Sequence, residues 1–356
     1  MADAGAAPEI DRLPGWPVPE EQLAWHGSTE AEQVLARAYA SGHMHHAWLL
    51  GGPKGIGKAT LAFRLARHVL ANPEPHTAPA AGLAIPAEHR VTRQIAAGAH
   101  PNLLVLRRPY DDAAKRFKTE LTVGEVRRLQ RFFGSTAGEP GWRICIIDPA
   151  DDLNISAENA LLKVLEEPPE RGLFLLVAHR PGRLLPTTHS RCAALSLKPL
   201  EPEAITTALA TQLPDRSGED ISLAASLAGG SLRRAILALD EERIDLLRSF
   251  GDIVSRLPDI DYRKAHDLAD AAGLRGRDAE FEGFIDVVED WLDRRVRGLP
   301  EPLGAISPAT ESASLATWAA VWDKVRESTL QAETLNLDRR QVVLQVFMAL
   351  EHATRM

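Results

Sequence analysis

The stretch "GGPKGIGKAT", Gly51 to Thr60, limits the fold more than any other part of the chain. It follows the apolar run "AWLL" at 47–50 and precedes a segment with Leu61, Leu65 and Val69 at i, i+4 and i+8. Strand, glycine loop, helix is the order in which a phosphate-binding loop is built, and it puts this part of the chain in the α/β class. Gly52, Gly55 and Gly57 let successive backbone N–H groups turn toward one point. Lys58 adds a positive charge, and the helix that follows offers its N-terminus to an anion. Arg64, Arg67 and His68 fall off the apolar stripe and are expected to face away from the core.

The loop departs from G-x-x-x-x-G-K-[ST] at one residue. Ala59 stands where a hydroxyl would ligate the Mg²⁺ that bridges nucleotide phosphates. Thr60 lies about 100° further around the helix and is a poor substitute. Three more aliphatic runs read as buried strands: "LLVL" at 103–106, "ICIID" at 144–148 and "LFLLVA" at 173–178. "ICIID" ends on Asp148, where a second P-loop strand carries its metal-supporting carboxylate. The next position, which in a hydrolase would hold a glutamate to polarise water, is Pro149, which has neither acid nor donor. A nucleotide site built this way keeps its glycines, Lys58, Thr60 and Asp148 and loses what metal-assisted hydrolysis needs. Asp151 and Asp152 are expected to cap or to be solvated.

With 356 residues the chain is long enough for two or three domains. Its 41 basic and 49 acidic side chains, a net charge of -8, exclude a basic nucleic-acid glove. Cys145 and Cys192 form no C-x-x-C pair and point to a reducing compartment without a zinc site. The start, "MADAGAAPEIDRLPGWPVPEE", lacks a basic end and an apolar run, and no apolar stretch approaches the roughly 20 residues of a membrane span. A cytoplasmic protein is expected. The Pro- and Ala-rich stretch 73–89 reads as a surface insertion or flexible loop. In "HMHH", 43–46, adjacent His45 and His46 are expected to point to opposite faces of an extended chain, not to a metal. "SAENALLKVLEEPPE" reads as a short helix from near Ser156 with Leu161, Leu162, Val164 and Leu165 inward, stopped by Pro168 and Pro169. Beyond Leu197 only helical patterns remain. Phe281, Phe284, Val288 and Trp291 form one core stripe, and Leu315, Trp318, Trp322 and Val325 another, with 298–314 read as a loop between late helices.

Four segments together carry a resemblance: "HHAWLLGGPKGIGKATLA", "WRICIIDPADDLNISAENALLKVLEEPP", "FLLVAHRPGRLLPTTHSRC" and "GGSLRRAI". In this order they resemble bacterial replicative clamp-loader subunits of the AAA+ class, closely over 20–240 and less so beyond. "ENALLKVLEEPP" followed by "SRC" is the most specific part. The resemblance implies an AAA+ P-loop core with a parallel sheet over 1–197, a small helical lid over 198–245 and an all-α collar over 246–356 that holds subunits in a ring. Motor subunits of the family, gamma or tau, keep a full P-loop and an Asp-Glu pair. Here both are broken while Ser190, Arg191 and Cys192 are intact, the pattern of the non-motor subunits.

Carried over residue by residue, the resemblance makes Lys58 and Asp148 remnants of an ATP or ADP site and puts Arg233 at its second sensor position. The first sensor position falls at Ala178 or His179, where a small polar residue is expected. Arg191, beside Ser190, is implied to act in trans on ATP held by a neighbour. Implied partners are the gamma or tau and delta subunits and, through the assembled loader, the β sliding clamp and primed DNA. Family members often carry a four-cysteine zinc module before a stretch like "RQIAAGAHPNLLVL". Residues 72–100 hold no cysteine, and His76, His89 and His100 are expected to be solvated rather than ligands. The rival class is an autonomous AAA+ ATPase, and a small-molecule kinase is a third; Ala59 together with Pro149 opposes the rival.

Overall fold

The structure is a computed structural model that describes residues 12–13, 15–111, 116–134, 141–274, 278–298, 308–335 and 338–355. Most of the start "MADAGAAPEIDRLPG" and of the loop 298–314 lie outside the described residues.

The chain divides into two compact units. The first comprises 1–208 and 229–233, and the second 209–228 and 234–356. The first unit contains α1 (Thr29–Ala40), β1 (Ala47–Gly51), α2 (Lys58–Ala71), α3 (Arg90–Ala96), β2 (Leu103–Leu106), β3 (Tyr110–Asp111) and β4 (Arg116–Phe117). It continues with α4 (Val123–Gly134), β5 (Arg143–Ile147), α5 (Ile155–Glu166), β6 (Gly172–Ala178), α6 (Pro186–His189) and β7 (Ala193–Ser196). α7 (Pro202–Gln212) begins in this unit and ends in the second.

Five strands form one parallel sheet in the order β2-β5-β6-β1-β7. Alternate side chains of each strand enter opposite cores. Trp48, Leu50, Ile144, Ile146, Leu175 and Val177 pack with α1, α2 and α3, while Leu49, Cys145, Ile147, Phe174 and Leu176 pack with α4 and α5. Burial on both faces explains why β1, β5 and β6 read as nearly continuous aliphatic runs. β2 was expected to be equally buried, but it is an edge strand and Leu103, Leu104 and Val105 are only half-buried. The fifth strand, β7, pairs with β1 and has no aliphatic run to announce it; its sequence is AALS. The short β3–β4 hairpin is likewise unannounced.

α2 corrects the expectation of an exposed charged face. Arg64, Arg67 and His68 are all buried. The segment before α1 crosses them: Arg67 donates to the carbonyls of Glu20 at 2.8 Å and Gln22 at 2.7 Å, and Arg64 to that of Leu23. Arg64 also pairs with Glu32 of α1 at 2.5 Å. Buried guanidinium groups are tolerated because backbone oxygens and one carboxylate satisfy them. The same Glu32 accepts from the Leu83 amide at 3.2 Å, and Ala78 and Leu83 enter the core. The stretch 73–89 is thus a mostly exposed surface insertion docked to the core at Ala78 and Leu83.

The second unit is helical: α8 (Gly218–Leu227), α9 (Leu232–Ala238, shared with the first unit), α10 (Glu241–Val254), α11 (Tyr262–Gly273), α12 (Asp278–Arg297), α13 (Pro308–Ser312), α14 (Leu315–Leu335) and α15 (Arg339–Arg355). Phe250, Phe284, Trp291, Trp318 and Phe347 form an aromatic centre with ring separations of 5.3–6.2 Å. The stripe from Phe281 to Trp291 is buried as expected. In the other stripe Trp318 and Val325 are buried, Trp322 is half-buried, and Leu315, the first residue of α14, is exposed.

Candidate functional site

The parallel register sets Gly51 of β1 opposite Ala178 of β6, and Ile147 of β5 opposite Leu176. The P-loop, Asp148 and His179 therefore leave the sheet at one edge, the carboxyl end of the strands, where open α/β sheets bind ligands. Gly52, Gly55 and Gly57 have φ of 141°, 84° and 92°. Two of them are also fixed by contact. A Cβ on Gly52 would lie 2.5 Å from the Leu197 carbonyl oxygen, and one on Gly55 would lie 2.1 Å from Ser231 Oγ and 2.6 Å from Arg233 Cβ. The Arg233 amide donates to the Gly55 carbonyl at 3.3 Å, so the start of α9 is held against the loop.

Gly57 caps α2 without a side-chain hydrogen bond, which leaves the first-turn amides to an anion. Lys58 is only 3% exposed and its Nζ donates to the carbonyls of Gly52 at 2.6 Å and Pro53 at 2.5 Å. Burial lowers its pKa to about 8, against the opposing pull of Asp148 and Asp151. The lysine is turned onto its own loop. Thr60 is half-buried on α2, and Ala59 beside it has no donor oxygen.

Asp148 is engaged by Arg107, whose Nε and Nη2 both lie 3.3 Å from Oδ2. Arg107 also forks onto Glu20, with Nη1 at 2.8 Å and Nη2, shared between the two carboxylates, at 3.1 Å, and it lies over the Phe63 ring. Burial disfavours the Arg107 charge, but the hydrogen bonds it donates to Glu20 and the nearby Asp148 charge outweigh that and raise its pKa. A guanidinium thus holds the carboxylate that a Mg²⁺ would need. With Ala59 and Pro149 added, the residues present do not fit a Mg²⁺–nucleotide. Asp151 has a different task, accepting from the amides of His179 at 2.9 Å and Arg180 at 3.2 Å. It caps the end of β6, as expected. Ala178 is wholly buried and presents no polar group.

Ser190 and Arg191 do not join this cluster. Glu158, 3% exposed on α5, accepts from the Leu185 amide and from Thr188 Oγ1, both at 2.7 Å, and so anchors α6. Ser190 Oγ donates back to the Thr187 carbonyl at 3.0 Å. Arg191 follows, one-third exposed, with Nη1 on the Thr187 carbonyl at 2.9 Å and Nη2 2.6 Å from Glu166 at the end of α5. α5 itself begins at Asn154, which caps the Ala157 amide. On it Leu161 and Leu165 are buried, Leu162 and Val164 half-buried. Glu158 lies in the same buried stripe as Ala157, Leu161 and Leu165, a helical spacing that could have singled it out. Arg107 had no such signal; its partners are 87 and 41 residues away.

The histidines considered for metal have separate duties. His89 accepts from the Val91 amide to start α3, His100 is buried and accepts from the Asn102 amide, and His76 is exposed beside Gly42. The expectation that all three are solvated fails for His100. His45 and His46 do not diverge either; their rings stack at 4.4 Å, because 43–46 is irregular with a bend at His46 and is not a strand. Burial raises the Cys192 thiol to about 11 and Cys145 further. Among the described residues no group of three or more His, Cys, Asp or Glu could hold a metal, and no helix is long and apolar enough to cross a membrane.

The strand order, the P-loop at the end of β1, the acid at the end of β5 and the arginine after β6 define an AAA+ core followed by helices. Residues 27–201 match the family described as "DNA polymerase III, delta subunit". Over these residues, about half of the chain, the protein groups with the delta' subunits of DNA polymerase III. It is 39% identical to DNA polymerase III subunit delta' of Pseudomonas aeruginosa over 186 residues, 52% of this chain and 53% of that protein. It is 28% identical to the Bacillus subtilis subunit delta' over 68% of this chain and 69% of that one. It is 33% identical to the Escherichia coli subunit tau over 60% and 32%. The chain thus spans about half the length of the first of these relatives. Among solved structures, a gamma-subunit-related protein of Thermotoga maritima aligns over 91% of this chain and 100% of its own, at 14% identity and a TM-score of 0.42. Likenesses at that score decide nothing about function.

Proposed function

We propose that this chain is a non-hydrolysing subunit of a cytoplasmic clamp loader that lends Arg191 to ATP bound by a neighbouring gamma or tau subunit. With the motor subunits and delta it helps open the β sliding clamp and place it on primed DNA. The reading rests on one contrast: Asp148 is tied to Arg107 while Arg191 stands at the surface on an anchored turn. A guanidinium is always charged and can fork onto phosphate oxygens as charge develops in a transition state. Ser190 helps hold its start, and any nucleotide at Gly52, Gly55, Gly57, Lys58 and Arg233 would be held as an anion without metal-assisted cleavage.

The test is ATP turnover by the isolated chain and by the chain mixed with gamma or tau and delta. The expected result is background turnover alone and co-purification with those subunits. Robust turnover alone that is abolished by Lys58→Ala would establish the autonomous ATPase instead.

A further inference from the structure

The Arg191 guanidinium is already engaged within its own subunit. Nη1 donates to the Thr187 carbonyl at 2.9 Å and to Ser190 Oγ at 3.3 Å, and Nη2 lies 2.6 Å from Glu166 Oε1. A guanidinium grips a phosphate with two parallel N–H groups, either Nη1 with Nη2 or Nε with Nη2. Both forks include the nitrogen that Glu166 holds. Nη1 is committed to the turn, so an incoming phosphate competes first with Glu166.

Glu166 is an unfavourable residue for its place. It ends α5, where the helix dipole disfavours a carboxylate, and the exposed Glu167 and Glu170 follow within four positions. Among the described residues, Glu166 alone of these three is paired with Arg191. A cation beside it offsets the dipole, while the three carboxylates together repel any second anion that approaches Arg191.

The pair can nevertheless be exchanged. The Arg191 and Glu166 side chains are 33% and 50% exposed, and an ion pair that open to solvent is weak. The turn beneath is firm, because buried Glu158 accepts from both the Leu185 amide and Thr188 Oγ1. The guanidinium can therefore change partner while its backbone stays in place. We propose that Glu166 is a positioning residue that holds Arg191 in reserve and must release Nη2 before the guanidinium acts on a phosphate of a neighbouring subunit. The proposal rests on the in-trans reading of Arg191.

Glu166→Gln tests it, since glutamine keeps an acceptor oxygen on a side chain of the same length and removes the charge. In the isolated chain, labelling of Arg191 by phenylglyoxal, followed at its own peptide by mass spectrometry, should be about two- to fivefold faster in the variant, the worth of an exposed ion pair. In the complex with gamma or tau and delta, the same substitution should raise clamp-stimulated ATP turnover by a similar factor at low salt. The gain should shrink as added salt screens the parent's pair. A double variant, Glu166→Gln with Arg191→Ala, should turn over no faster than Arg191→Ala alone. A purely structural role for Glu166 gives neither the gain nor its dependence on Arg191. Unchanged labelling, or turnover that stays level or falls in Glu166→Gln while Arg191→Ala lowers it, overturns the proposal and leaves the in-trans reading standing. A gain that persists in the double variant also overturns it, because the effect then bypasses Arg191. If Arg191→Ala leaves turnover unchanged, the in-trans reading itself fails and the role of Glu166 fails with it.

Discussion

The P-loop edge of the sheet and the Ser190–Arg191 turn both carry cationic side chains, yet they use them in opposite ways. At the P-loop, Lys58 is buried on its own loop carbonyls and Asp148 is held by Arg107, which is itself forked onto Glu20. At the turn, Arg191 is one-third exposed and its carboxylate partner, Glu166, is half-exposed. Charges at the first place are consumed inside the subunit. At the second they are held loosely enough to be exchanged for a phosphate outside it, since an exposed ion pair is worth less than about 1 kcal/mol.

The largest test of that contrast is Arg107→Ala. It takes the guanidinium away from Glu20 and Asp148 in a setting where each is mostly buried, and should cost about 4 kcal/mol in urea unfolding without creating ATP turnover. If the variant is as stable as the parent, the acid at 148 is not locked. If it gains turnover, Arg107 and not Ala59 or Pro149 is what silences the site.

Next comes pH. Burial lowers the pKa of His68, on the same helix as Lys58, to about 4; Glu32 opposes the shift, Arg64 reinforces it, and the Tyr39 ring packs edge-on. The unfolded chain takes up this proton near 6.5, before the folded one does. Stability should therefore fall as pH drops from 6.5 to 4, by up to about 3 kcal/mol. His68→Leu should flatten that part of the curve, measured by melting temperature across pH. An unchanged slope would mean that His68 is not sealed in.

A smaller effect is expected at the open region. Glu158→Ala removes the acceptor of two hydrogen bonds under α6 and should cost about 2 kcal/mol. It should also lower the activity of the assembled loader, because Arg191 loses its platform. Glu166→Gln should change stability by less than about 1 kcal/mol. A cost as large as that of Glu158→Ala would show that Arg191 is locked in place like Asp148.

Local chemistry made much of this legible beforehand. The glycine loop, three buried strands and the aromatic stripe on α12 follow from periodicity and backbone freedom, which are properties of neighbours in sequence. What escaped depends on distant partners. Arg64 and Arg67 looked like a solvent face because the carbonyls that satisfy them are more than 40 residues upstream. β7 escaped because an edge strand needs only half of its residues covered, so AALS shows no apolar run. The broken metal site was visible in Ala59 and Pro149, but the arginine that takes hold of Asp148 comes from the end of another strand, 41 residues away.

The central claim, that the chain serves a neighbour's nucleotide and not its own, is tested most directly at Arg191. Reconstituted with gamma or tau and delta, an Arg191→Ala subunit should assemble normally and reduce clamp-stimulated ATP turnover by about tenfold or more, less than the roughly 10³–10⁵ of a single-site arginine finger because other sites in the ring remain. Arg191→Lys should restore only part of the rate, since it keeps the charge and loses the fork. Normal turnover and clamp loading by a fully assembled Arg191→Ala complex would contradict the claim and reduce Arg191 to the surface partner of Glu166.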